Sequence, residues 1–253
     1  MPPILCIETA TPLCSVALVD GDKLLAERNA GEPGRLTHAE RLSVFVEEVI
    51  REAGSNMHDL QAVAVGIGPG SFTGLRIGIS STKGYCYALG IPIIGISTLH
   101  TLTAALRSSP QGDRTTNNEQ PLDRLGKGST TNRELLHPMI DARRMEVFTQ
   151  AFGNAGLPMG EVHAQVLDDA WIEAFPVDRQ VIVFGDGADK ATELWKSHQA
   201  IMHVPGIKPS ARAMAPEAVR RLAAKEFDDL AYLVPSYGKE ARVTQSRRAG
   251  ADH

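Results

Sequence analysis

The stretch Ile4-Leu5-Cys6-Ile7-Glu8-Thr9, continued by Ser15-Val16-Ala17-Leu18-Val19-Asp20-Gly21, decides the fold. A short apolar run that ends in an acid reads as a buried strand with a carboxylate at its rim. Ser15 to Val19 has the β-branched content of a second strand. Asp20-Gly21 supplies a hairpin turn, because glycine tolerates positive φ, and Lys23 to Asn29 returns as the third strand. The second half of the chain repeats this opening. Pro138 to Asp141 again ends a strand in an acid, and Met145–Phe152 and Met159–His163 flank the turn Gly153-Asn154-Ala155-Gly156. An α/β chain of two lobes, built from duplicated βββαβα units, is the expectation.

The elements after the first hairpin fit that plan. Thr37 and Glu40 have the spacing of a capping box, and Leu42, Phe45, Val46, Val49, Ile50 and Ala53 then recur on one helical face. Gly54 stands where a C-terminal cap belongs. Ala62 to Ile67 reads as a buried strand, and Gly66-Ile67-Gly68-Pro69-Gly70-Ser71-Phe72-Thr73-Gly74 leads into a helix over about 75–90. Ile91 to Ile96 returns as a strand, and Ser97 opens a third helix. In the second half, helices are expected near 168–175 and 188–197, with the strand Val181–Phe184 between them. Residues 1–107 thus form the first lobe, with a helix near 210–227 able to pack back on it, and 134–209 form a second, smaller lobe. Residues 108–133 and 238–253 are polar and offer no core, so an insertion and a tail without fixed structure are expected there.

Bulk properties narrow the function. The net charge of −4 argues against a surface that grips nucleic acid along its whole length. No apolar run approaches the roughly 20 residues of a membrane span, and the start lacks the pattern of a signal peptide, which points to the cytosol. Cys6, Cys14 and Cys86 leave one thiol unpaired under any disulfide scheme and are expected as buried small hydrophobes.

A duplicated βββαβα unit is the plan of the actin-like ATPase and sugar-kinase (ribonuclease H-like) superfold. There, acids ending the two first strands hold Mg²⁺, and small residues beside them let backbone amides reach phosphate. Glu8 and Asp141 have the right type and place. Their neighbours fit poorly: Thr9-Ala10-Thr11 lacks a phosphate-loop glycine, and Ala142-Arg143-Arg144 puts long cations where bare backbone is needed. Gly185-Asp186-Gly187-Ala188 opens a helix after a strand and could contact an adenosine. A vestigial nucleotide cleft at Glu8, Thr9, Asp141, Gly185 and Gly187 is the expectation. No cofactor is held tightly; ATP or ADP would bind weakly or at a heteromeric interface. The eight histidines contain no H-x-x-x-H or H-E-x-x-H pair, so no metal is expected. Gly70-Ser71-Phe72-Thr73-Gly74 lacks the G-x-S-x-G spacing of a hydrolase elbow and reads as a tight turn that caps the next helix. That helix carries Gly74, Gly78, Ser81, Gly84 and Ala88 at spacings of three and four. Interior glycines cost about 1 kcal/mol each relative to alanine, so close approach of another backbone, in the same lobe or in a partner, is expected.

Ile7-Glu8-Thr9-Ala10-Thr11, Cys14-Ser15-Val16-Ala17-Leu18, the run Gly68-Pro69-Gly70-Ser71-Phe72-Thr73-Gly74-Leu75-Arg76-Ile77-Gly78, and Gly95-Ile96-Ser97-Thr98-Leu99 together resemble the TsaB (YeaZ) family. Ile140-Asp141-Ala142-Arg143 is similar too, and the likeness is strong over residues 4–106 and looser over 137–210. The resemblance implies a non-catalytic scaffold subunit for threonylcarbamoylation of the adenosine beside the anticodon in tRNA. It implies heterodimer formation with the paralogue TsaD, which holds the metal and performs the transfer, and assembly with the ATPase TsaE. A homodimer of the isolated chain stays open, and tRNA would be met through the complex. The resemblance places the partner interface on the two helices after the hairpin, at Leu42, Phe45, Val46, Val49, Gly74, Arg76, Gly78, Ser81 and Tyr85. Two alternatives stay open: an independent ATP-dependent kinase or acyl transferase of the same superfold, and a glycoprotease-like peptidase. Three features depart from the family: Glu8 where Asp is frequent, the long polar 108–133 stretch, and Pro235-Ser236-Tyr237-Gly238-Lys239 where P-x-Y-L-R is usual.

Overall fold

The computed structural model describes residues 3–31, 38–109, 134–175, 179–196 and 198–238. Continuous runs of buried side chains, whose alternate residues face opposite covered sides, build two five-stranded sheets. The first comprises β1 (Ile4–Glu8), β2 (Cys14–Asp20), β3 (Lys23–Ala30), β4 (Ala62–Gly68) and β5 (Ile93–Ser97), in the order β3-β2-β1-β4-β5. The second comprises β6 (Glu134–Asp141), β7 (Glu146–Gly153), β8 (Pro158–Val166), β9 (Gln180–Phe184) and β10 (Ile201–Val204). Its order, β10-β9-β6-β7-β8, is the same frame read from the other edge. In each sheet the first three strands are antiparallel and the last two join in parallel. The duplication expected from the paired acids is therefore real. Asp20 pairs with Lys23, so the first hairpin turns on Gly21-Asp22, one residue later than expected.

The helices do not repeat so faithfully. The first lobe has α1 (His38–Glu52), α2 (Phe72–Leu89) and α3 (Thr98–Ser108). Ser71 caps α2 by accepting from the Gly74 amide, as the tight turn required. Among its described residues the second lobe has α4 (Asp169–Glu173), α5 (Asp186–Asp189) and α6 (Thr192–Trp195), so two four-residue helices stand where a single helix over 188–197 was expected. The strand β10 was not foreseen. Thr37 of the expected capping box, residues 110–133 and the tail beyond Gly238 lie outside the described residues.

One face of the first sheet packs on α1 and α2 through Leu5, Ile7, Val16, Leu18, Val63 and Val65. Its other face is covered by α7 (Ala215–Ala224) and the 3₁₀ turn Ala211–Met214, which arrive from beyond the second lobe. Conversely, Leu99, Leu102 and Leu106 of α3 pack on Leu136, Ile140, Phe152 and Phe184 of the second sheet. Each lobe thus hands its last helix to the other. The three cysteines are free and buried.

Candidate interaction site and the occupied cleft

Glu8 ends β1 with no exposed surface. Its Oε1 accepts from the Ala10 amide at 2.8 Å, while Oε2 has no partner among the described residues. Burial pushes the carboxyl up to about 7, only partly offset by the amides of Ala10 and Thr9. Gly66 on β4 makes room for it, since a Cβ there would overlap both carboxylate oxygens. The loop beyond is sealed: the Thr9 hydroxyl donates to the Gly74 carbonyl at 2.9 Å, and the Ser71 amide donates to the Ala10 carbonyl at 2.6 Å. The backbone that would cradle a phosphate is already hydrogen-bonded within the lobe.

Asp141, in contrast, is exposed at the end of β6, where Lys190 pairs with it and the Arg143 amide donates to it at 2.8 Å. No hydrogen bond or ion pair among the described residues links Asp141 to Glu8. Gly185 and Gly187 sit against the backbone of Met139 and Ile140, where a Cβ would overlap, so they serve strand–helix packing. Asp186 between them accepts from the Asp141 amide at 3.0 Å, and burial raises its carboxyl.

The mouth between the lobes holds the chain's own C-terminal strap, residues 225–238. The Ser236 amide donates to the Ile67 carbonyl at 2.7 Å, and the Ser236 carbonyl lies where a Cβ on Gly68 would be. Gly238 lies between Pro69 and the ring of Phe148 on β7. Further back, Asp228 accepts from the Gly95 amide at 2.7 Å and pairs with Arg221 at 3.0 Å. The strap's contacts thus fall on Ile67, Gly68, Pro69, Phe72, Arg76 and Phe148, beside the expected cleft residues rather than on them.

Burial corrects the expected interface. Leu42, Phe45, Val46 and Val49 are at most 8% exposed and pack under the first sheet, so their surface is spent within the lobe. Gly74 and Gly78 are also buried, because a Cβ on them would overlap the Thr9 carbonyl and hydroxyl. Ser81 and Tyr85 are half-buried; Arg76 alone of that set is exposed. The free face of α2 instead presents Arg76, Ser80, Gly84 and Ala88 at intervals of four, with Tyr87 83% exposed beside them. Nothing lies within 4 Å of a Cβ on Gly84. At the start of this face the Arg76 guanidinium sits 3.8 Å over the Phe72 ring. Tyr237 stacks on Phe72 at 5.0 Å and accepts from Arg76 Nε at 3.1 Å. Lys83 donates to the Ala231 carbonyl at 3.0 Å, which pins the strap along the helix and leaves Tyr232 82% exposed. Sequence reasoning missed Phe72, Tyr87 and Tyr232. The pattern Leu75, Ile79, Thr82, Cys86 marks one face of α2 as core and so could have found Phe72 and Tyr87 on the other, whereas Tyr232 on the strap carries no such signal.

Two copies of one five-stranded frame, each with an acid closing its first strand, define a two-lobed α/β protein of the actin-like and sugar-kinase superfold. The solved YeaZ of Pseudomonas aeruginosa superposes with a TM-score of 0.70 over 94% of this chain and all of that one, at 23% identity. Residues 34–119 match the family model described as TsaD: tRNA N6-adenosine threonylcarbamoyltransferase. An uncharacterised protein of Mycobacterium tuberculosis is 40% identical over 99 residues, 39% of this chain and 47% of that protein. The chain thus spans about half the length of such relatives. The tRNA threonylcarbamoyladenosine biosynthesis protein TsaB of Bacillus subtilis is 30% identical over 185 residues, 72% of this chain and 70% of that protein. The chain belongs to the TsaB family.

Proposed function

We propose that this protein is a non-catalytic subunit in threonylcarbamoyladenosine biosynthesis on tRNA, paired with a TsaD-type paralogue and assembled with a TsaE-type ATPase. The extended likeness to the Bacillus subtilis TsaB carries this reading. The burial of Glu8, whose carboxylate accepts from the Ala10 amide, supports a subunit without chemistry of its own. Any ATP or ADP would bind weakly or at the heteromeric interface, and tRNA would be met through the complex. No described helix is long and apolar enough to cross a membrane; action in the cytoplasm follows from the proposed role on tRNA.

The exposed face of α2 suits a helix of the paralogue. Ser80, Gly84 and Ala88 allow close backbone approach, and Phe72, Tyr87 and Tyr232 supply large aromatic area at the flanks. Gly84→Arg should leave circular dichroism unchanged, because the added side chain enters open space. It should weaken pairing with the paralogue at least a hundredfold and remove tRNA modification in a reconstituted mixture. Normal pairing by a folded Gly84→Arg chain would remove this face from the interface. Modification that proceeds unchanged without this chain would refute the subunit reading itself.

A further inference from the structure

A second concave site lies at the other end of the first sheet. Glu8 marks the carboxyl end of β1, whereas Val19 and Asp22 stand beside its amino end, since Ile4 pairs with Val19. There the β2–β3 turn, the last turn of α3 and the segment from Gly206 to Pro216 enclose a groove of about 480 Å³. That volume is within the range of sites for small organic ligands, roughly 300–1,000 Å³.

The groove's chemistry is divided. Lys208 and Arg212 stand on one wall, both exposed, and neither side chain makes a hydrogen bond or ion pair with any described residue. Ser108 and Ser210 add hydroxyls to the same lining. Leu24, Ile207 and Pro216 give it apolar surface. Asp22 faces the groove too, yet is not paired with either cation. The frame is firmly held: the Ala211 amide donates to the buried Ser15 hydroxyl at 2.7 Å, and Ala213 and Ala211 are themselves core residues. Two unpartnered cations on a fixed wall, an apolar floor and a separate acid match an ionised phosphate joined to a ring that bears hydroxyl or amino groups.

We propose that this groove binds a small phosphate ester of nucleotide size. Lys208 and Arg212 hold the phosphate, Leu24, Ile207 and Pro216 contact the ring, and Asp22 accepts from a hydroxyl or amine. The site uses none of the residues of the interlobe cleft or of the free α2 face, so it stands apart from the subunit reading.

Calorimetric titration of the full chain at low salt tests it, with ADP, inorganic pyrophosphate and adenosine as probes. ADP should bind saturably, pyrophosphate more weakly and adenosine weakest, and affinity should fall steeply with added salt. A Lys208→Ala/Arg212→Ala double variant should lose at least tenfold in ADP affinity with its melting temperature unchanged. Asp22→Asn should weaken ADP but leave pyrophosphate binding alone. Photo-crosslinking with 8-azido-ADP should label the peptide spanning 206–216, a reading that needs no variant. Absence of saturable ADP binding up to millimolar concentration, equal binding by the double variant, or labelling confined to another peptide would overturn the proposal.

Discussion

The two lobes share one strand order and differ in what covers it. In the first, the long helices α1 and α2 lie on the sheet, with α2 drawn onto the β1 loop through Gly74 and Gly78. On the second sheet, the face away from α3 is covered by helices of four or five residues, and aromatic side chains fill the room they leave. Trp171 meets Phe175 at 4.6 Å and Trp195 at 6.4 Å, and His137 stands edge-on to Phe175 at 5.2 Å. A frame this regular can thus be closed either by backbone approach or by bulky rings. Only the first solution leaves a long helix with a free outer face, and that is where the proposed partner surface falls.

If rings replace helices in the second lobe, their loss should be severe. Trp195 is 3% exposed and its indole N–H donates to the Ala188 carbonyl at 2.9 Å. Trp195→Ala should cost about 3–5 kcal/mol in denaturant unfolding. A loss below 1 kcal/mol would show that the short helices suffice.

Glu8 in the first lobe and His137 in the second are both buried, and their titrations pull in opposite directions. Glu8 is raised to about 7 by burial, so the unfolded chain releases its proton first, and stability falls as pH climbs from 4.5 through 7. His137 is lowered to about 4, chiefly by burial and then by His163, so stability is lost as pH falls from 6.5 through 4. Each effect is on the order of 3 kcal/mol, and between pH 4.5 and 6.5 they offset. Glu8→Gln should therefore uncover a rise in stability from pH 4 to 6.5, and His137→Phe a fall from pH 4.5 to 7. Urea melts across this range would read both slopes; identical profiles for both variants would break the contrast.

Smaller effects separate the two faces of α2. Gly74→Ala should cost about 2 kcal/mol, since its Cβ would press on the Thr9 backbone. Gly84→Ala meets nothing and should gain up to about 1 kcal/mol from helix propensity alone. Equal effects at the two positions would mean that the helix can shift to relieve the contact.

These glycines also show how far the sequence could be read. Strand periodicity, the acids ending two first strands and the face from Leu42 to Ile50 were plain, because burial imposes them locally. Spacing alone grouped Gly74, Gly78 and Gly84 on one stripe. Contact with Thr9, a residue 65 positions away from Gly74, divides them between core and surface. The strap was illegible for the same reason: Ser236 and Tyr237 gain their meaning from Ile67, Phe72 and Arg76, none of which is near in the chain. The apolar stripe of α1 is legible in its spacing, but not how much of it the chain's own sheet takes, which is all of Leu42, Phe45, Val46 and Val49.

The exchange of last helices has a consequence for synthesis on the ribosome. After β5 has emerged, Ile4, Cys6, Ala17, Ala62, Ala64 and Ile94 still await the segment from Ala211 to Ala218 that will cover them. At about 5–20 residues per second, the intervening hundred or so residues take roughly 5–20 s to appear. Throughout that interval a nascent first lobe shows water a bare apolar sheet face, the surface that trigger-type holding chaperones recognise. Ribosome-nascent chains stopped before residue 210 should therefore remain chaperone-bound, whereas chains released after α7 should let go.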